Sequence, residues 1–547
     1  MSWMKERLLS LLQQILNDRG LNSTRVTLQH PKNPDHGDFS TNAALILAKD
    51  ARMNPRQLAE EIQRTLLEQD TDKLFTAIDI AGPGFLNFKI QQSAVSDQLS
   101  VILQAGDAFG RQSSGQGQRA LVEFVSANPT GPLNIGHGRG AMLGDTLSNI
   151  LEWNGYAVTR EYYFNNAGRQ MRKLGESVYC RYAQLCGSDI DFPEDGYQGH
   201  YIKDIAESLR SKYDNSLLKS PDDPRFRQTA EDVIFTEIKE SLAQLGVHFD
   251  SFFNEKDLYE NGDIAATLGK LEKKELIYNQ EGATWLRATS LGRDADKVLV
   301  KSSGEPTYRL PDMAYHINKV ERGFDLIVDV FGADHIDTYP DVLAVVKSLG
   351  YDREKIRVLI HQFVTILRSG EQVKMSTRKA NFVTLEDLIA EVGSDVVRYF
   401  FLMRGMNTHL NFDLNLALDQ SDENPVFYLQ YAYARVCNIG RHAIAQGLDG
   451  SKGADLSLLK EPEEIQLVQK LLNFPDVVAR CLNTLEPQNI TNYLQELAGQ
   501  FHRYYAHHRV VTENKGLSLA RLDLAAAVRI VFKNGLTILG INAPEKM

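Results

Sequence analysis

Long apolar runs are missing from this 547-residue chain. None approaches the roughly 18 uninterrupted residues that a membrane-spanning helix needs, so no membrane association is expected. Cysteine is scarce. Cys180, Cys186, Cys437 and Cys481 form no C-x-x-C pair, which argues against a disulfide framework and against a structural zinc site. A reducing cytoplasm is the default compartment for such a chain. No signal peptide is expected either. Leu8, Leu11, Leu12, Ile15 and Leu16 recur at helical spacing, but Glu6 and Asp18 interrupt any secretory pattern, so the chain opens on an amphipathic helix. Excess positive charge is also absent: the formal net charge is −11. Alone this argues against a nucleic-acid partner, although only the local field at a contact surface decides that question. The remaining composition, 43% hydrophobic and 24% charged, is that of an ordinary globular protein. The length is too great for one core, and about three domains are expected.

One stretch organises the rest: residues 123–140, E-F-V-S-A-N-P-T-G-P-L-N-I-G-H-G-R-G. Before it, residues 120–125 form a short apolar run that reads as a buried strand. After it, Met142, Leu143, Leu147, Ile150 and Leu151 recur at helical spacing until Asn154-Gly155 stops the helix. A strand, a loop and a glycine-rich helix start open a nucleotide-binding α/β unit. Gly136, Gly138 and Gly140 carry no Cβ to obstruct a ligand, and free N–H groups at a helix start favour phosphate. His137 is placed to donate to the same phosphates. Two readings compete here. Gly136-x-Gly138-x-x-Ala141, with Glu161 about 20 residues on, fits a relaxed dinucleotide fingerprint. Against it, roughly ten residues with Pro129 and Pro132 separate the strand from the glycines, whereas that fingerprint follows its strand directly. The other reading takes Asn134-Ile135-Gly136-His137 as a variant of the His-Ile-Gly-His signature.

Residues 1–112 read as a separate α+β domain. Residues 25–28 are an expected strand, and residues 77–81 and 85–89 flank the turn Gly82-Pro83-Gly84. The segment 112–117, rich in Ser, Gly and Gln, reads as a linker. The catalytic unit is expected over 113–423, with a mostly helical, highly charged insertion at about 188–300. Its second half returns with residues 308–316 and the strand-like run 324–331, which ends in Gly332-Ala333-Asp334-His335. Ligands of doubly wound sheets sit at such carboxyl ends. Further on, Val373-Lys374-Met375-Ser376-Thr377-Arg378-Lys379 gathers three cations and two hydroxyls in one short loop. By itself this is a solvated basic turn. Paired with the helix start some 240 residues earlier, it suits a triphosphate whose departing pyrophosphate needs positive charge. From 424 to 547 the pattern is helical throughout, and counted from 421 on the thirteen basic and thirteen acidic residues balance. Tyr431 with Arg435, and Tyr504 among Arg503 and Arg509, interleave aromatics with arginines as single-stranded RNA binders do. Helix-bundle core is the plainer reading for most of these tyrosines.

With both signatures placed, the chain resembles the class I aminoacyl-tRNA synthetases, most closely the arginyl-tRNA synthetases, over essentially its full length. The stretch 123–133, the segment from Gly304-Glu305-Pro306-Thr307-Tyr308 to Asp312, and Gly332–His335 carry the likeness. It implies an α/β, Rossmann-type catalytic domain, an N-terminal α+β domain that touches the tRNA elbow through the region of Phe39 and Asn42, and a C-terminal all-α bundle that binds the anticodon. It implies an ATP site built from Asn134, Gly136, His137, Gly138, Lys374, Met375 and Ser376, with Arg378 among the catalytic cations. It implies an arginine site in which Glu123 and Asn128 hold the ammonium and carboxylate ends, Tyr308 and Asp312 grip the guanidinium, and Ser126 and His335 complete the wall. The chemistry agrees: arginine presents a planar, permanently charged fork of five donors, and residues four apart share one helical face. Two positions depart from the family pattern. Asn134 replaces the first histidine of the signature, and Thr377 replaces the second lysine of K-M-S-K, so Arg378 or Lys379 must supply the missing charge.

The expected reaction is a two-step ligation. Arginine and Mg²⁺-bound ATP give arginyl-adenylate and pyrophosphate, and the terminal adenosine of tRNA(Arg) then takes the arginyl group. Positioning and electrostatics carry such chemistry without a side-chain nucleophile. The resemblance also implies activation only in the presence of tRNA. No zinc and a monomer are expected. A cysteinyl-type synthetase would want a zinc ligand set, and a Rossmann oxidoreductase leaves the 373–379 loop unexplained. A catalytically dead tRNA-binding relative would not need the intact site residues.

Overall fold

Residues 120–122 are fully buried, and they occupy the centre of a five-stranded, all-parallel sheet. Parallel sheets are covered on both faces, which is why this strand reads as one apolar run rather than an alternation. The computed structural model describes residues 2–547 except 30, 32, 34, 35, 72, 73, 374–382 and 449–453. In spatial order the sheet runs Ile356–His361, Leu326–Gly332, Arg119–Glu123, Ala157–Phe164, Ser251–Asn254. The order turns back on itself beside Arg119–Glu123, so a topological switch point lies between that strand and Leu326–Gly332.

The helix Ile135–Trp153 covers this sheet and is buried almost all round. Such close packing requires small residues. A Cβ on Gly144 would meet Phe124 Cγ at 2.1 Å, and one on Gly138 would meet Leu385 Cδ1 at 2.6 Å. The helix ends where Asn154 turns its side-chain amide back to the Ile150 carbonyl (2.7 Å) and Gly155 takes a φ of 91°.

The region 188–300 is less separate than the sequence suggests. Ser251–Asn254 pairs in parallel with Glu161 to Phe164 as an edge strand of the main sheet. Four residues, without a β-branched one among them, gave no strand signal of their own. Around it stand the helices His200–Tyr213 and Pro224–Gln244 and a small antiparallel sheet, Ile277–Gln280, Ala283–Leu286 and Lys297–Val300.

At the N-terminus, Phe75–Ala81 and Phe85–Ile90 form the expected hairpin, and Phe39–Thr41 adds a third strand. The expected strand 25–28 is not one. One isolated bridge, Gln29 to Ser40, and a hydrogen bond from Thr41 Oγ1 to the Thr27 carbonyl (2.8 Å) join that segment to the sheet, and Ser23–Arg25 is a turn of 3₁₀ helix capped by Asn22. Beyond Ile90 the chain leaves this unit. The helices Gln92–Asp97 and Leu99–Ala105 pack on the C-terminal helices Pro462–Leu472 and Lys515–Leu539. Asn534 Nδ2 donates to the carbonyls of Gly106 (3.1 Å) and Phe109 (2.9 Å), and Phe109 stacks on Phe474.

The segment 424–547 is built of helices throughout its described residues. Asn424 caps Pro425–Ala445, and Pro462–Leu472, Phe474–Thr484, Gln488–His507 and Lys515–Leu539 follow. Buried hydrogen bonds tie it to the sheet domain. Arg398 donates to the carbonyls of Leu539 (2.9 Å) and Leu245 (2.6 Å) and pairs with Asp145.

Candidate active site

A cavity of about 640 Å³ opens at the switch point, at the carboxyl ends of Arg119–Glu123, Leu326–Gly332 and Ile356–His361. Its floor begins with a strained turn. Val125 and Ser126 have φ of 64° and 43°, and Ser126 N–H donates to the Phe124 carbonyl two residues back (2.9 Å). Left-handed backbone at a β-branched residue costs about 1–3 kcal/mol and persists only where its surroundings hold it. Here Ser126 Oγ donates to Glu123 Oε1 (2.8 Å) and accepts from Tyr163 N–H (3.1 Å), and Tyr162 O–H donates to the Ala127 carbonyl (2.8 Å).

The helix start at Asn134 forms one wall. Asn134 Oδ1 accepts from His137 N–H (3.0 Å), and Asn134 N–H donates to His137 Nδ1 (3.2 Å), a reciprocal capping box. Because Nδ1 is the acceptor, the neutral imidazole carries its proton on Nε2. Burial pushes the His137 pKa down to about 4, with Asp334 opposing only in part, so the ring is neutral at physiological pH. His137 is therefore a neutral donor, and Asn134 fixes its tautomer. Gly136 and Gly140 line the cavity; a Cβ on Gly140 would stand 3.1 Å from His361 Nε2. Gly138, expected beside the nucleotide, turns away from the cavity and against Leu385 and Phe401. Its lack of a Cβ serves helix packing.

The opposite wall is acidic. The helix Arg309–Glu321 presents Asp312 to the cavity. Its carboxylate has no hydrogen-bond or ion-pair partner among the described residues. Burial pushes its pKa up to about 7; Glu255 and Glu123 add to the rise, and His316 opposes it. Tyr308 stands one turn earlier at the rim and is 60% exposed. Glu123 lies at the end of the central strand, directly across from Asp329 on the neighbouring strand. Lys319, with no exposed surface, pairs with both carboxylates. His316 bridges the Asp312 carbonyl (2.8 Å) and Asp329 Oδ2 (3.1 Å). Burial would raise Asp329, but Lys319 and His316 hold it down to about 2. Asn128 also lines this space, its Nδ2 donating to Gln170 Oε1 (2.8 Å). His335 stacks on Phe331 and reaches toward Asp334 (3.7 Å). Carboxylates outnumber cations here, which suits a planar cationic ligand.

The fold thus brings Glu123, Ser126, Asn128, Asn134, Gly136, His137, Tyr308, Asp312 and His335 around one cavity. Lys374, Met375, Ser376 and Arg378 lie outside the described residues. Lys319, His316, Gln170 and His361 were not singled out from the sequence. The first two had a usable signal, since 308, 312, 316 and 319 recur on one helical face. His361 and Gln170 had none beyond their distance from any motif.

Two residues expected to meet RNA do not reach the surface. Phe39 is fully buried in the N-terminal core, and Tyr504 is 1% exposed, its hydroxyl without a partner among the described residues. A buried ring cannot stack on a base. Asn42 is half-buried at the start of the short helix Ala43–Leu47. Tyr431 and Arg435 do line an open groove of about 1310 Å³ in the C-terminal bundle, together with His442, Tyr505 and Arg509. Arg435 lies over the rings of Tyr505 (4.8 Å) and Tyr431 (5.3 Å).

Three family models match the chain: the Arginyl tRNA synthetase N terminal domain over 6–90, tRNA synthetases class I (R), catalytic domain over 98–399, and the DALR anticodon binding domain over 429–547. The arginine–tRNA ligase of Desulfotalea psychrophila is 49% identical, covering 97% of this chain and 96% of that protein. The arginine–tRNA ligase of Salinibacter ruber is 47% identical over all of both chains. The fold is similar to that of Thermus thermophilus arginyl-tRNA synthetase, with a TM-score of 0.74, 21% identity, and 99% of this chain and 100% of that one covered.

Proposed function

The chain belongs to the arginyl-tRNA synthetases, and from that membership we propose how its residues share the reaction. It is an arginine–tRNA ligase: arginine and ATP give arginyl-adenylate and pyrophosphate, and tRNA(Arg) then receives the arginyl group as AMP leaves. In our reading the carboxylate of arginine attacks the α-phosphate in line, and the bond to pyrophosphate breaks. A ribose hydroxyl of the terminal adenosine next attacks the activated carbonyl.

One observation carries the residue assignment. The unpartnered Asp312 carboxylate and the N–H-rich helix start at Asn134 face the same enclosed space. A cation held at one wall and a triphosphate at the other meet between them. Asp312 and Tyr308 take the guanidinium, Glu123 the α-ammonium, and Asn128 the carboxylate end. Ser126 holds Glu123, and His335 closes the wall. His137, donating from Nε2, stabilises phosphate oxygens as charge builds. Asn134 fixes that donor, and Gly136 lets the phosphates approach the helix start. Lys374 and Arg378 offset the charge of the departing pyrophosphate, Ser376 offers it a hydroxyl donor, and Met375 belongs to the same nucleotide signature. Their loop follows the hairpin Val364–Arg368 and Glu371–Gln372, which starts beside the cavity-lining Phe363. Mg²⁺ arrives with ATP. No three His, Cys, Asp or Glu side chains among the described residues gather into a metal cage, and in nucleotide sites Mg²⁺ is held largely by phosphate oxygens and water.

We take 1–112, 113–423 and 424–547 as the working units, with the helices after Ile90 in the first of them packed on the third. The groove at Tyr431 and Arg435 receives the anticodon region, and the surface around Asn42 the elbow. We take the protein to work as a monomer in a reducing cytoplasm, a compartment that four unpaired cysteines fit. No helix among the described residues is long and apolar enough to cross a membrane. Arginylation of tRNA(Arg) by wild type and by Asp312→Asn tests the assignment. The variant should raise the arginine KM while leaving the ATP KM near wild type; an unchanged arginine KM would remove Asp312 from the site.

A further inference from the structure

We infer that Lys319 is a positioning residue for arginine activation: its buried ammonium clamps Glu123 in the orientation that receives the substrate's α-ammonium, with Asp329, itself bonded by His316, holding Lys319 from behind. The inference rests on the arginine-site assignment above and extends it to residues that need not touch substrate.

The geometry begins with the sheet. Glu123 and Asp329 are paired across adjacent parallel strands, and both are almost fully buried. Two like charges side by side on one sheet repel, and without a cation one of them would take up a proton. A protonated Glu123 could not attract an ammonium. Lys319 prevents this by donating to both carboxylates, at 2.6 Å for Asp329 Oδ1. Its Nζ also lies 4.2 Å from the centroid of Tyr315, whose hydroxyl is itself held by Glu161 (2.7 Å). The ammonium therefore has little freedom to move. Ser126 fixes the other Glu123 oxygen (2.8 Å), so the side chain is gripped from both sides while it still lines the cavity.

A lysine that only neutralised charge would behave differently from one that positions Glu123. Lys319→Met removes both the clamp and the cation. The pair Lys319→Met with Asp329→Asn removes the clamp but restores the charge balance. Both would be compared with wild type by tRNA-dependent ATP–pyrophosphate exchange, with folding checked by circular dichroism and thermal melting. Loss of a charge-assisted hydrogen bond that orients a binding group is expected to raise the arginine KM about tenfold in both variants. The ATP KM should stay within about twofold, because only the arginine contacts are disturbed. Should Lys319→Met fail to fold, the charge-balanced pair carries the test. A wild-type arginine KM in the pair would mean that neutralisation is the whole role and would overturn the inference. So would an equal rise in the KM of both substrates, which signals general damage to packing. Asp312→Asn separates the two levels. If it leaves the arginine KM unchanged, the site assignment fails and takes this inference with it. If it raises the KM while the charge-balanced pair does not, only the role of Lys319 falls.

Discussion

Lowering the pH should weaken arginine binding through one carboxyl group, Asp312. Its pKa in the free protein is pushed up to about 7, chiefly by burial, with His316 and Lys319 opposing the rise only in part. A guanidinium requires the ionised form. Binding is then linked to loss of a proton, and affinity falls about tenfold for each pH unit below 7 and levels off above it. Calorimetry of arginine binding from pH 5.5 to 8.5, repeated in buffers of different ionisation heat, measures both quantities. About half a proton should be released per arginine at pH 7. Asp312→Asn should lose the pH dependence together with roughly 2–5 kcal/mol of affinity, the cost of truncating one partner of a desolvated charge pair. Flat affinity between pH 6 and 8 with no proton release would refute the reasoning.

The same carboxyl also affects the free protein. Its folded pKa lies above the ordinary 3.8, so the folded state holds the extra proton and stability falls as pH rises from 3.8 to about 7. Asp312→Asn should consequently raise the melting temperature at pH 8 more than at pH 5, which a melting series checks. His137 is neutral above about pH 5. His137→Asn should lower the rate of activation about a hundredfold at every pH from 6 to 8, with the arginine KM nearly unchanged in single-turnover assays. Gly138→Ala should destabilise by about 1–3 kcal/mol, since its Cβ would overlap Leu385, and Gly136→Ala, whose Cβ would stand 3.2 Å from the capping Asn134 Oδ1, should raise the ATP KM. Tyr504→Phe should leave both stability and tRNA affinity unchanged, whereas Tyr431→Ala should weaken tRNA in filter binding by about 1–3 kcal/mol.

The parts of the fold with strong local signals were legible in the sequence. The buried run before Glu123, the capped glycine-rich helix and the hairpin at Gly82-Pro83-Gly84 each carry periodicity or turn chemistry that a short window reveals. Tyr308 and Asp312, four residues apart, do line one cavity. What a window misses is tertiary. Ser251–Asn254 becomes a strand because an edge of the sheet is waiting for it. Gly138 looks like a phosphate-approach glycine, yet its neighbours Leu385 and Phe401 come from more than 240 residues away. Phe39 and Tyr504 have the right chemistry for stacking on bases, but burial takes them out of reach. The Glu123–Lys319–Asp329 cluster joins three positions that share no motif. A lysine that shares one helical face with Tyr308, Asp312 and His316 was the one hint.

ATP–pyrophosphate exchange with each of the twenty amino acids, with and without tRNA(Arg), tests the central claim most directly. Exchange with arginine alone, and only when tRNA is present, is the predicted result. Exchange driven by another amino acid, or none under any condition, would contradict an arginine site built on Asp312 and Tyr308.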